Sequence, residues 1–210
     1  MFTGIIGKVA KVTSVRSHGG AVVLEVDLGE LASEVAVGDS VAVDGACLTA
    51  TAASGGKVAF DVSAETLRKT TLGELGRAQE VNVELAMRPA DRFGGHFVSG
   101  HVDGVGTIEQ KAARSGETRL KVRVPRPLAA MMIMKGSVAV DGISLTIAAL
   151  TEDTFEVSLI PHTLAATTLA NKNAGAHVNT ECDMIGKWVR RFAGGAGGGL
   201  TLERLEEEGY

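Results

Sequence analysis

The stretch Ser40-Val41-Ala42-Val43-Asp44-Gly45-Ala46-Cys47-Leu48-Thr49 returns as Ser137-Val138-Ala139-Val140-Asp141-Gly142-Ile143-Ser144-Leu145-Thr146. Eight of the ten positions are identical, and Asp44 and Asp141 stand 97 residues apart. The spacing persists downstream. Thr66-Leu67 and Thr70-Thr71-Leu72 match Thr163-Leu164 and Thr167-Thr168-Leu169, and Val81, Asn82 and Glu84 match Val178, Asn179 and Glu181. Upstream, Thr3-Gly4-Ile5-Ile6 falls on Ser99-Gly100-His101-Val102 at a spacing of 96. One register kept over four blocks means that a unit of slightly under a hundred residues has been duplicated. The expected organisation is a first unit over 1–96, a second over 97–185 and a tail over 186–210, with a short junction at Met87–Gly95.

Each unit reads as β. Short runs rich in Val, Thr and Ala are separated by Gly, Asp, Asn and Ser. The first unit offers Lys8–Val15, Ala21–Leu28, Ser40–Asp44, Leu48–Ala52, Lys57–Ser63 and Glu80–Ala86. The second repeats them as Gly104–Glu109, Thr118–Val124, Ser137–Asp141, Leu145–Ala149, Thr154–Leu159 and His177–Asp183. Five to six short strands per unit suit a small closed barrel or a sandwich. Weak alternation over Ser40–Leu48 leaves both open. Short helices are expected at Glu30–Val35, Glu65–Leu75, Leu128–Met132 and His162–Leu169. In the tail, a helix over Gly186–Phe192 is broken by the glycine run of 194–199, and a second acidic helix follows at Leu200–Glu208.

Composition narrows the function. A net charge of −4 and 4% aromatic residues leave neither an electrostatic hold on nucleic acid nor a stacking platform. That disfavours a plain oligonucleotide-binding barrel. No run approaches the ~20 apolar residues of a membrane span. Two cysteines and no leader-like start point to free thiols in the cytoplasm.

Chemistry has few places to sit. Read alone, Asp-Gly-x-[Cys/Ser]-Leu-Thr is a hairpin turn, with Asp capping amides and Gly taking positive φ. Its duplication adds something: Cys47 with Thr49, and Ser144 with Thr146, each share one strand face. Gly94-Gly95-His96-Phe97-Val98-Ser99-Gly100-His101 carries two histidines whose odd separation puts them on opposite faces of a regular strand. With no CxxC or H-x-x-x-H spacing, no metal is expected. Ile160-Pro161-His162-Thr163 matches the first-unit turn at Ala64-Glu65-Thr66, a helix start where amides can cap or hold polar ligand atoms. Asp183 stands where the first unit has Ala86. Ser144, His101 and Asp183 supply a Ser-His-Asp inventory without a nucleophile elbow. No Walker loop or G-x-G-x-x-G fingerprint is present.

Met1-Phe2-Thr3-Gly4-Ile5-Ile6, Cys47-Leu48-Thr49, Gly95 through His101, Lys135-Gly136, Asp141 through Thr146 and Ile160-Pro161-x-Thr163 together resemble the riboflavin synthase family, alpha-chain type, over Met1 to about Asp183. The resemblance implies an all-β fold of two tandem six-stranded Greek-key barrels and a C-terminal helix through which three chains assemble. It implies a dismutation, without cofactor, of two molecules of 6,7-dimethyl-8-ribityllumazine, at a site between the first barrel of one chain and the second barrel of its neighbour. Carried onto this chain, Cys47, His101, Ser144, Thr146, Asp141 and Asp183 become the catalytic set. Gly4, Ile5, Ile6, Leu48, Thr49, Ala64, Glu65, Thr66, Gly100, Val102, Lys135, Leu145, Ile160, Pro161, His162 and Thr163 become the substrate contacts. His162 stands where the family more often has Glu. The rival expectation is a non-catalytic relative that holds the chromophore as an antenna. Such relatives tend to lose the residues that stand here as Cys47 and His101.

Overall fold

The first unit forms six strands, β1 (Lys8–His18), β2 (Ala21–Asp27), β3 (Ser40–Val43), β4 (Ala46–Ser54), β5 (Lys57–Val62) and β6 (Glu80–Leu85). Their hydrogen-bonded order is β1-β2-β5-β4-β3-β6, and β6 closes onto β1. The second unit repeats the pattern with β7 (Gly104–Arg114), β8 (Glu117–Arg123), β9 (Ser137–Val140), β10 (Ile143–Leu150), β11 (Thr154–Leu159) and β12 (His177–Cys182). Both sheets are closed and antiparallel. In each, three hairpin-linked strands are rejoined by a fourth beside the first of them, which is a Greek key. The computed structural model describes residues 1–18, 21–114 and 117–195.

Closure needs strongly bent strands. Register breaks occur at matching places in the two units: Val12/Ser14 in β1 and Ile108/Gln110 in β7, Ala50/Ala52 in β4 and Ile147/Ala149 in β10. An extra residue at each coils the strand and removes an open edge. Inside the first barrel lie Val12, Leu24, Val26, Val58 and Phe60, and inside the second Ile108, Leu120, Val122, Ile147 and Phe155. At about 25 cal/mol per Å² of apolar surface, these full burials are the main stabilising term.

The weak alternation over Ser40–Leu48 has a structural cause. Val41 and Val43 fill the first barrel, while Ala42 between them packs across the seam with Phe2, Val98 and Ala139. A strand buried on both faces loses its polar half. On the seam the turns Asp44-Gly45 and Asp141-Gly142 meet back to back. A Cβ on Gly45 would stand 2.6 Å from the Gly142 nitrogen, so only glycine fits.

The expected helix over Glu65–Leu75 is two pieces. Helix α1 (Ala64–Lys69) ends at an extended Thr70, and a 3₁₀ turn spans Thr71–Glu74. The Thr70 hydroxyl donates to the Thr66 carbonyl and accepts from Leu72 N–H, so one side chain ends one helix and starts the next. The second unit has α2 (Arg126–Ala129), then α3 (Pro161–Ala166), which also breaks at an extended threonine, Thr167, whose hydroxyl donates to the Thr163 carbonyl but does not cap the turn that follows. In the tail, α4 runs Met184–Gly195, longer at both ends than expected. Asp183 accepts from Ile185 N–H at 3.0 Å and starts it early. The proposed acidic helix at Leu200–Glu208 lies outside the described residues.

Candidate active site

The segments that precede each barrel cross over. Gly4, at the start of the first unit, accepts a hydrogen bond through its carbonyl from Ser144 N–H of the second barrel at 2.8 Å. Gly100, at the start of the second, accepts one from Cys47 N–H of the first barrel, also at 2.8 Å. Ile6 packs on the second barrel's core and Val102 on the first barrel's. Each nucleophile-type residue therefore lies under a loop contributed by the other unit. The approach is close: a Cβ on Gly4 would stand 2.6 Å from the Ser144 Cβ, and one on Gly100 would overlap Cys47 Cβ. Both glycines also hold φ near +80°.

The cradle around Cys47 gathers Thr49 on the same face of β4, and Gly100, His101 and Val102 from the crossing loop. Cys47 is half-buried, and Thr49 and His101 are exposed. Leu48 points into the barrel. Ala64, Glu65 and Thr66 form the start of α1, where Ser63 accepts from Thr66 N–H at 3.1 Å. Glu65 is tied to Lys69 at 2.9 Å on the surface; a hydrogen bond from Lys69 and its charge hold that carboxyl below the usual range.

The cradle around Ser144 gathers Thr146 on the same face of β10, with Gly4, Ile5 and Ile6 from the other loop; Leu145 points inward. Ile160, Pro161 and His162 are exposed at the start of α3, with Thr163 half-buried. No side chain caps that helix. Lys135 is exposed in a positive-φ turn whose N–H donates to Ile147.

One buried side chain at this cradle carries no strand-pattern signal in the sequence. His96 is 7% exposed, and its Nδ1 shares a 2.7 Å hydrogen bond with Ser144 Oγ. Its Nε2 is buried with no partner among the described residues. Strand parity separates His96 from His101, but residues 94–103 are largely irregular, so parity does not govern them. The Ser144–His101–Asp183 inventory is rearranged accordingly: His101 sits on the Cys47 side and His96 on Ser144. Burial lowers the His96 pKa, and the charge of Asp183 partly offsets that. The available signal was Gly95: a side chain there would strike the Thr3 carbonyl and stand 2.9 Å from Ser144 Cβ.

Asp141 is turned away from both cradles. Its fully buried carboxylate accepts from Asn179 N–H at 2.7 Å and binds Lys172 Nζ at 2.6 Å, in the seam. Asp44 does the same for Asn82 N–H at 2.8 Å but has no lysine of its own, because Leu75 stands where the second unit has Lys172. Burial and the Asp141 charge push Asp44 up to about 7. Burial opposes the Lys172 charge, but the two carboxylates outweigh it and raise its pKa. The broad seam groove beside them, about 650 Å³, is lined by Thr71, Glu74, Thr168, Lys172 and His177, and by neither Cys47 nor Ser144.

Among the described residues no three metal-ligating side chains converge, and no helix is long and apolar enough to cross a membrane. Of the two thiols, Cys182 is buried against the Leu128 carbonyl, and burial pushes it up to about 12. It is chemically quiet, and Cys47 is the accessible one.

Comparison with known proteins gives one consistent result. The family model described as the lumazine binding domain matches twice, over residues 3–86 and 99–183. Riboflavin synthase of Bacillus subtilis is 44% identical over 192 residues, covering 91% of this chain and 89% of that one. Riboflavin synthase of Actinobacillus pleuropneumoniae is 39% identical over the whole of both chains. Among solved structures, LumP complexed with 6,7-dimethyl-8-(1'-D-ribityl) lumazine superposes with a TM-score of 0.78 at 21% identity, over 87% of this chain and 99% of that one. At that identity the likeness speaks for the fold.

Proposed function

The chain belongs to the riboflavin synthase family and is an enzyme of that family; from that premise we propose how its two cradles share the reaction. Two molecules of 6,7-dimethyl-8-ribityllumazine are taken up, one by the cradle at Cys47 and one by the cradle at Ser144. One passes a four-carbon unit to the other, giving riboflavin and 5-amino-6-(ribitylamino)pyrimidinedione. The balance closes without an oxidant, since what one ring gains the other loses.

The observation that carries this reading is the reciprocal crossing of Gly4 onto Ser144 and Gly100 onto Cys47. Two related cradles suit two copies of one substrate. Holding them in reacting orientation supplies about 7–11 kcal/mol of the barrier. The chemistry then needs a proton taken from the C7 methyl of one ring and a nucleophile added to the other. A buried, neutral His96 bonded to Ser144 Oγ supports proton transfer there. Cys47 and His101 serve the partner ring, and Thr49 and Thr146 bond polar ring edges. Asp183 tunes His96.

Within one chain the two cradles are open to solvent. We assign their closure to assembly of three chains, the first barrel of one facing the second barrel of the next. An apolar face on α4 supports this: Ile185, Trp188, Val189 and Phe192 are 54–71% exposed at helical spacing. Free thiols at Cys47 and Cys182 fit a cytoplasmic setting.

The test is incubation of the purified protein with the dimethyl lumazine alone, following riboflavin fluorescence. Production of riboflavin and the pyrimidinedione in equal amounts is expected. Tight binding with no turnover would support the antenna reading instead.

A further inference from the structure

Two buried glutamates remain that the chemistry above does not use. Glu84 on β6 and Glu181 on β12 are duplicates, 7% and 3% exposed. Among the described residues neither forms an ion pair within 4.0 Å. Each grips the loop at the start of its own unit. Glu84 Oε1 accepts from Thr3 N–H at 2.7 Å and from Thr3 Oγ1 at 2.8 Å, and Oε2 accepts from Gly4 N–H at 2.9 Å. Glu181 Oε1 accepts from Ser99 N–H at 2.7 Å and from Ser99 Oγ at 2.6 Å, and Oε2 accepts from Gly100 N–H at 3.0 Å. The gripped hydroxyls accept in turn from the next amides, Ile5 and His101.

The chain of bonds does not stop at the loop. The Gly4–Ile5 peptide, whose N–H donates to the Thr3 hydroxyl, accepts through its carbonyl from Ser144 N–H, and the Gly100–His101 peptide, held likewise by Ser99, accepts from Cys47 N–H. We propose that Glu84 and Glu181 are crossed positioning residues: Glu84 of the first barrel fixes the cradle at Ser144 in the second, and Glu181 of the second fixes the cradle at Cys47 in the first.

The physical argument is one of acceptor geometry. A carboxylate offers two acceptor oxygens and no donor, which matches successive N–H groups plus a hydroxyl. Burial pushes both carboxyls above the usual glutamate range, and the donated bonds pull them back. A glutamine keeps one oxygen and turns an N–H₂ toward the glycine N–H, so two donors meet. The loop then loosens at the glycine that roofs the opposite cradle. A structural carboxylate would loosen its own barrel; this wiring sends the effect across the seam.

That the roofed cradles hold lumazines rests on the function proposed above, so the first measurement is independent of it. In the full-length protein, amide hydrogen exchange is followed at Ser144 and Cys47. Glu84→Gln is expected to speed exchange at Ser144 at least tenfold and leave Cys47 unchanged, and Glu181→Gln to do the reverse. Equal acceleration of both amides by either variant, or of neither, would overturn the wiring. Should the glutamine variants not fold, Thr3→Val and Ser99→Ala remove one arm of each grip and should show the same crossed pattern, weaker. Thr3→Ser restores the hydroxyl and should exchange like the parent.

The second measurement is riboflavin binding at the two cradles, read by ¹⁹F or ¹³C signals of labelled ligand. Each glutamine variant should lose affinity at least tenfold at the opposite cradle only. Crossed exchange with ligand affinity unchanged at both would overturn the positioning role. A parent protein that binds no riboflavin would overturn the proposed function while exchange still decides the wiring.

Discussion

His96 Nδ1 lies 2.7 Å from Ser144 Oγ, and the imidazole's other nitrogen is buried without a partner among the described residues. In either tautomer the ring and the hydroxyl stay hydrogen-bonded, so the two are expected to act as one unit. Ser144→Ala and His96→Gln should each lower kcat about 10²-fold, the usual worth of a positioned acid or base. The double variant should lose little more, because groups acting together are not additive. Steady-state kinetics of the three variants checks this.

The pH profile should show the same pair. Burial lowers the His96 pKa below its ordinary 6.5, and Asp183 acts in the opposite sense. A lowered folded value means that the ring stays neutral as pH falls past the usual histidine range. The acid limb of kcat should therefore lie below pH 6.5, and Asp183→Asn should move it further down. An upward move would contradict the assigned role of Asp183. Rate measurements between pH 4.5 and 8 in ~0.5 steps resolve the limb.

Stability should depend on pH through the seam. Asp44 titrates near 7 in the folded protein against 3.8 ordinarily. The folded state thus binds the extra proton across that window. The associated stability is fully present below the lower value and is lost as pH rises through the upper one. The slope should reach about 1.4 kcal/mol per pH unit. Asp44→Asn should flatten it in urea titrations taken between those limits. Lys172→Met leaves the buried carboxylates without their cation and should destabilise by about 3–5 kcal/mol.

Gly100→Ala should damage the first cradle selectively. The new methyl overlaps Cys47 Cβ at a positive φ, and overpacking of this kind costs about 1–3 kcal/mol. The expected result is a lower denaturation midpoint together with loss of ligand from the Cys47 side. Retained binding at both cradles would contradict the crossing.

Trp188→Asp should break the proposed assembly of three chains. The indole stacks on Phe192 at 5.8 Å on the exposed face of α4, and a buried unpaired charge there disfavours association. Sedimentation should change from three chains to one, with activity falling as the chains separate. A fully active single chain would refute the shared site.

Much of this was legible in the sequence. The repeat of Ser40–Thr49 as Ser137–Thr146 announced two like units, and β-branched runs between turn residues announced strands. Their closure into barrels came from the family resemblance, because β3 is buried on both faces and its pattern cannot distinguish barrel from sandwich. Cys47 with Thr49, and Ser144 with Thr146, followed from period-two parity within a regular strand. The same reasoning failed for His96, since parity has no meaning in an irregular segment. It also left Asp141 among the chemical residues, when a 2.6 Å bond to Lys172 commits it to the seam.

By itself, the sequence determined what is local or repeated: the units, their strands, the Asp-Gly turns, and the residue types able to do chemistry. Only the tertiary structure decided which loop roofs which barrel. Gly4 lies 140 residues from Ser144, and Gly100 lies 53 from Cys47. Nothing in local propensity encodes such pairings; they arise when two closed barrels dock along a seam of small apolar side chains and paired buried polar groups, and each unit's leading loop finds its unpaired amide on the other side.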